Sequence, residues 1–424
     1  MLPHKLGPNT PIYNRPRSAF GPVLKDEKIF EEMYNTLFLN RWRAEELERD
    51  LSSDERIWSS VDPGIKLMLT NILAFFLHAD DIVGDMAVMF SKMIDNPVIS
   101  GLLIEQAANE FVHQRSYFLM AQKIFKKNDP ETFERIHKSK EIFKKSTAYV
   151  KKLEWAKQWI HPRENEEGKL EWPHPCEQLI AFGMTEGVLF ASSFAGIFFA
   201  KSLQGARKCD VHGIYLGNKL VMQDENCHFT NTANMFKKLV PEDRISVERI
   251  HEIIRSAVET EDEFVDETIP GKPENENEST EDSIPMEILG LSRENMKKYV
   301  RWVANRYTML LGIDPVYTFV KRHPLNFMNQ LWFHERNNPF ERKGPQYAHH
   351  IESSLSNSTG SNTSVDSLFG GYHTDKEWAD DDDESASTSS DNDTEEEDRK
   401  EFVSNKEILD LCLTFPHLGL SKDF

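Results

Sequence analysis

Residues 181–199 read AFGMTEGVLFASSFAGIFF, a run in which Glu186 is the single charged side chain. Val188, Leu189, Ser192, Ala195 and Phe199 recur at helical spacing, so the run reads as a helix with apolar or small residues on every face. Its most apolar part, about Gly187 to Ala200, is too short to cross a bilayer and is expected to be a buried core helix. An ionised carboxylate alone in such a helix is very costly unless it finds a partner. A raised pKa or a buried hydrogen bond would answer for one such carboxylate. Three neighbouring segments pose the same problem, and together they suggest a common answer.

LAFFLHADDIVGDM (73–86) places Asp80 in an apolar helix whose stripe is Ile72, Phe75, Phe76, Ala79, Ile82 and Val83. IEQAANEFVHQRSYFLM (104–120) and GNKLVMQDENCHFTNTANMF (217–236) each carry Glu-x-x-His, at Glu110/His113 and Glu225/His228. Residues three apart share one helix face, so each pair can serve one metal site. The spacing alone says little, because Glu134/His137, Glu171/His174 and Glu248/His251 repeat it. Those three lie in charged segments or are interrupted by Pro173, and read as solvated surface.

In chain order the four apolar helices give carboxylate, Glu-x-x-His, carboxylate, Glu-x-x-His. This is the ligand pattern of ferritin-like dinuclear carboxylate proteins, with Asp80 in place of one glutamate. The expected fold is therefore all-α, a ferritin-like helical bundle with a dinuclear metal site in its core. Oxygen-rich ligands with one imidazole per metal suit iron or manganese better than zinc or thiophilic metals. Tyr117 stands one helical turn after His113, beside the metal pair in an apolar setting.

Outside these helices, Pro3, Pro8, Pro11, Pro16 and Pro22 deny a continuous helix and suggest an extended arm over 1–27. Helical periodicity then dominates from about Lys28 to Gly312, within a domain drawn as 28–347. Ser52 with Glu55 suggests a capping box, Asp129-Pro130 a cap before a first-turn proline, and Ser292 and Gly312 the two ends of one helix. The apolar-free stretch 273–283 (PENENESTEDS) reads as a surface insertion. Residues 348–407 are Ser/Asn-rich and then acidic, a composition that buries too little apolar surface to fold. Apolar character returns in 408–424, either as a docking peptide on a solvated tether or as an end that folds back on its own domain.

Composition narrows the function. The chain has 424 residues, is 39% hydrophobic and carries a net charge of -20. Most of that charge lies outside the helical region: residues 375–398 hold 13 acidic side chains against one lysine, and 273–283 hold five more. Without clustered Lys/Arg, neither nucleic acid nor an anionic membrane is an expected partner. The four cysteines form no C-x-x-C pair and the N-terminus lacks the apolar core of a signal peptide, which fits a reducing, cytoplasmic setting.

At the level of whole segments the chain resembles the small, radical-generating subunit of class I ribonucleotide reductase. The likeness runs from about Phe30 to Tyr347 through LFLNRWRAEELERDLSSD, NILAFFLHADDIVGDM, NEFVHQRSYFLM, TEGVLFASSFAGIFFAK, QDENCHF and NFMNQLWFHERNNPFERK, and returns at the C-terminus. It implies two iron ions, with manganese the lesser alternative: Asp80, Glu110 and His113 would hold one, and Glu186, Glu225 and His228 the other. Tyr117 takes the place of the radical tyrosine, with Phe190, Phe194 and Val221 as its apolar pocket. Trp42 and Asp224 match the residues that link the metal site, through His113, to the large subunit. The terminal peptide, with Leu418, Leu420, Asp423 and Phe424, would dock on that subunit, and the small subunit would pair as a homodimer or a heterodimer.

The chain departs from the family in three places. Asp81 stands where glycine is usual, Gln223 replaces a common arginine, and no tyrosine lies near Asn405, Tyr372 being the only one after Tyr347. An accessory small subunit without radical transfer and a stand-alone di-iron oxidase remain the alternative functions. No phosphate-cradling glycine motif is present, in keeping with a nucleotide site on another chain.

Overall fold

The computed structural model describes residues 3–15, 22–137, 147–203, 211–269, 291–320, 323–325 and 327–328. The 273–283 insertion, the acidic tail, Tyr372 and the terminal peptide with Leu418, Leu420, Asp423 and Phe424 lie outside these residues. The helices are α1 (Lys28–Leu39), α2 (Glu48–Ile57), α3 (Pro63–Met93), α4 (Pro97–Asn128), α5 (Pro130–His137), α6 (Ala148–Lys157), α7 (Pro175–Ser202), α8 (His212–Lys238), α9 (Val247–Thr268) and α10 (Arg293–Leu311). Strands β1 (Arg163–Glu164) and β2 (Leu170–Glu171) pair antiparallel between α6 and α7. The all-α expectation holds among the described residues.

Proline punctuates the bundle. Asp62, Asn96, Asp129 and His174 each precede a proline that opens a helix, where its missing N–H costs nothing. Asp62 Oδ1 accepts from Gly64 N at 2.8 Å, Asn96 Oδ1 from Val98 N at 2.9 Å, and Asp129 Oδ1 from Thr132 N at 3.0 Å. Ser292 Oγ caps α10 at Asn295 N (3.1 Å), and Gly312, with φ +77°, ends it in the left-handed region that glycine tolerates. Ser52 does not cap. It lies inside α2, its hydroxyl bonded back to the Glu48 carbonyl at 2.7 Å, because the chain already turns helically from Ala44 onward. The start of α8 is capped from a distance: Asp54 of α2 accepts from Gly213 N (3.1 Å) and Ile214 N (2.7 Å).

Helix α7 lies at the centre, packed against α3, α8, α9 and α10, while α4 packs along α3 and against α1, α2 and α8. By length and composition α7 could cross a membrane, yet 94% of its most apolar window is buried inside the fold, as a core helix requires. Residues 3–15 contain no helix, and they form a docked run of turns rather than a simple extended arm. Leu6 and Tyr13 are fully buried, Leu6 N donates to Met93 O (3.1 Å), Asp95 N donates to Tyr13 O (2.8 Å), and Thr10 Oγ1 donates to Asp243 (2.6 Å). This strap ties the α3–α4 corner to the segment that follows α8.

Candidate metal centre

Four helices bring the six expected ligands together: Asp80 from α3, Glu110 and His113 from α4, Glu186 from α7, Glu225 and His228 from α8. None is more than 2% exposed. Within each Glu-x-x-His pair the helix sets the contact, His113 Nδ1 to Glu110 at 3.2 Å and His228 Nδ1 to Glu225 at 2.9 Å. The pairs also meet across the bundle, with His228 Nδ1 2.8 Å from Glu110 Oε1 and His113 Nδ1 3.1 Å from Glu225 Oε1. Ligand atoms of Asp80, Glu110 and His113 lie within 4.8 Å of one another, as do those of Glu110, Glu186, Glu225 and His228. Glu110 belongs to both groups, which is the placement a bridging carboxylate needs.

Such a cluster is costly to bury unless something positive compensates it. Burial, with Glu110 nearby, pushes the Asp80 carboxyl well above its ordinary value, and burial with Glu225 and Glu110 does the same to Glu186. Burial would also raise Glu225, but hydrogen bonds from His113 and His228 outweigh it and hold that carboxyl low. Both oxygens of Asp80 and Oε2 of Glu186 find no hydrogen-bond donor. Buried, unpartnered oxygens aimed into a set of carboxylates and imidazoles fit two divalent cations with hard-ligand preference.

The outward side of His113 is also bound. Its Nε2 is 3.1 Å from Asp224 Oδ2, and the same oxygen accepts from Trp42 Nε1 at 2.9 Å. The Trp42 ring stacks beside His113 at 5.9 Å and 21°. Asp224 is therefore an internal residue, 5% exposed, and Trp42 equally buried. A carboxylate on the far nitrogen fixes the imidazole so that Nδ1 faces the cluster.

Tyr117 is fully buried, and burial together with the Asp80, Glu225 and Glu110 carboxylates pushes its phenol well above the ordinary range. Its ring stacks on Phe76 at 4.5 Å and 6°, and Phe76 in turn meets Phe190 at 5.3 Å and Phe194 at 5.1 Å. Val221 is fully buried on α8, one turn before Glu225. Phe76, the stacking partner, was visible in the sequence only as one member of an apolar stripe.

Two polar residues at the site carried no signal beyond their helical phase. Gln106, one turn before Glu110, donates to Glu186 Oε1 at 2.6 Å and accepts from Asn231 at 3.3 Å. Asn218, two turns before Glu225, accepts the Tyr117 hydroxyl at 2.8 Å. Asp81 and Gln223 both face outward and are exposed, so neither enters the cluster. Among the other Glu-x-x-His pairs, Glu134, Glu171 and Glu248 are exposed, His174 caps α7 at Cys176 N, and His251 bonds to the Asp314 carbonyl.

Residues 24–324 match the family described as ribonucleotide reductase, small chain. Ribonucleoside-diphosphate reductase subunit M2 of Macaca fascicularis is 31% identical over 317 residues, spanning 74% of this chain and 72% of the relative. Among solved structures, the Saccharomyces cerevisiae ribonucleotide reductase Rnr4 homodimer superimposes with a TM-score of 0.55 at 20% identity, over 77% of this chain and 92% of that one. The dimanganese(II)-NrdF of Streptococcus sanguinis gives 0.54 at 18% identity, over 73% and 99%.

Proposed function

The chain belongs to the small-chain family of ribonucleotide reductase, and from that premise we propose how its residues divide the work. The family reduces ribonucleotides, and its small chain works with a large subunit. Asp80, Glu110, His113, Glu186, Glu225 and His228 are the ligands of two metal ions, Tyr117 is the residue oxidised to a stable radical, and Trp42 with Asp224 leads from His113 towards the large subunit. The observation that carries this is the continuity of the site, from Glu110, present in both ligand groups, through His113 to Asp224 and Trp42.

Held by these six ligands, two redox-active ions would supply the dioxygen chemistry that a one-electron oxidation of Tyr117 requires. The protein's own part is positional. Asp224 holds the His113 ring with Nδ1 inward, Gln106 holds Glu186, and Phe76, Phe190 and Phe194 keep water and reductants from the phenol. Iron is preferred over manganese, although the donor set accommodates either. The peptide 418–424, with Leu418, Leu420, Asp423 and Phe424, docks on the large subunit from the end of an acidic tether, in the cytoplasm.

Pairing with a second copy uses the outer face of α4. Ile104, Phe111 and Phe118 repeat every seven residues there and are exposed, beside exposed Phe38 and Leu39 on α1. A homodimer is the described state of the yeast neighbour, and a row of exposed large apolar side chains is what such a contact would cover.

Electron paramagnetic resonance tests the central assignment. Loading with ferrous iron and air, and separately with manganese, is expected to give a tyrosyl signal with iron that is lost in Tyr117→Phe while metal content stays unchanged. Two bound ions per chain with no tyrosyl signal would leave an accessory subunit as the better account.

A further inference from the structure

Asn218 touches the atom on which the proposed radical would form. It is fully buried, and both ends of its amide are engaged: Oδ1 accepts the Tyr117 hydroxyl at 2.8 Å, while Nδ2 donates to the Ile214 carbonyl at 2.8 Å and lies 3.9 Å from the Met120 sulfur. These contacts select one orientation of the amide. Turned over, Nδ2 would face the phenol, but Oδ1 would then face the Ile214 carbonyl, setting two acceptors together with no proton between them. Helix α8 thus presents an acceptor, not a donor, to Tyr117. The stack on Phe76 fixes the plane of the ring, and Asn218 fixes the direction of its O–H.

We propose that Asn218 is the orienting hydrogen-bond acceptor of Tyr117, holding the phenolic O–H of the reduced side chain towards α8 and offering no hydrogen bond to the oxidised one. It rests on Tyr117 being the radical site. A neutral amide oxygen is too weak a base to take the phenolic proton, so Asn218 positions that proton without receiving it. A phenoxyl oxygen has no proton to give, and in this orientation Asn218 has none to lend it.

Tyrosine labelled with carbon-13 at the ring carbon bearing oxygen tests the first half in the full-length protein. The Tyr117 resonance is identified by its loss in Tyr117→Phe. In Asn218→Leu, of similar volume, it is expected to move upfield as the hydroxyl loses its acceptor, and an unmoved resonance in a folded variant overturns the assignment. Should Asn218→Leu fail to fold, the ultraviolet Raman difference between wild type and Tyr117→Phe reads the same contact. A Tyr117 doublet dominated by its lower-frequency band marks a donating hydroxyl, and the reverse ratio refutes it. High-field electron paramagnetic resonance tests the second half: the largest g component of the radical should be equal in wild type and Asn218→Leu. A rise in the variant would show that the amide turns over and donates, contrary to the fixed orientation. A wild type that binds iron yet gives no radical refutes the function of Tyr117 and leaves the carbon-13 outcome standing.

Discussion

Replacing Lys152 by methionine should be among the most damaging single changes away from the metal site. Lys152 of α6 and Glu261 of α9 form an ion pair with Nζ 2.8 Å from Oε2, both side chains 0% exposed. The ammonium sits 3.6 Å from the centroid of Phe75 and 3.7 Å from that of Phe264, while Glu261 also accepts from the backbone N–H and hydroxyl of Ser192 on α7. One pair thereby joins α3, α6, α7 and α9 behind the aromatic wall, since Phe75 packs edge-on against Phe190. Methionine keeps most of the side-chain volume, so the loss is electrostatic. Glu261 would be left buried without a counter-charge, a cost of about 3–5 kcal/mol. The two ring contacts add about 0.5–2 kcal/mol each. Against a total stability of about 5–15 kcal/mol that is a large share.

Urea unfolding at pH 7 measures it, with the double variant Lys152→Met/Glu261→Gln as control. Removing both charges should return stability to within about 1–2 kcal/mol of wild type, because a buried ion pair replaced as a whole costs little. Burial pulls the Lys152 ammonium down from 10.5 to about 8, so the pair is still charged at the pH of this measurement. A single variant within about 1 kcal/mol of wild type, or a double variant no better than the single one, would refute the claim that the charges act as a pair.

Two further outcomes follow from packing. A Cβ at Gly213 would lie 2.5 Å from Leu51 N and 2.6 Å from the Asp50 carbonyl carbon, backbone atoms that cannot rotate aside, so Gly213→Ala should lower stability by about 1–3 kcal/mol in the same urea titration. Phe111→Glu puts a charge on the exposed α4 row where a second copy is proposed to sit. Sedimentation should then show a monomer with unchanged helical content, and a persistent dimer would move the interface elsewhere.

What was legible in the sequence, and what was not, follows from the range of the physics involved. Glu186 and Asp80 stood out because each lies in an apolar helix, and the cost of burying a carboxylate there can be read from its immediate neighbours. The helix start at Pro130 is local in the same sense. Ser52 shows where local signals fail: Ser-x-x-Glu has the chemistry of a cap, but nothing within it reveals that the helix had begun four residues earlier.

Lys152 is the sharper case, because its neighbours Lys151 and Glu154 are exposed and the segment KKLEW looks like solvated surface. Its burial depends on Glu261, more than a hundred residues away on another helix, and only the packing of α6 on α9 brings the two together. Asn218 and Gln106 are hidden for a related reason. A buried amide in a mixed helix could serve any neighbour, and its partner is set by the rotation of α4 against α7 and α8. The metal ligands are dictated by the chemistry of an ion and so leave a residue-type signature. The groups that aim those ligands are dictated by how helices face one another, so their residue types can vary while the geometry is kept, which is why Asn218 had to be found from the hydroxyl it holds.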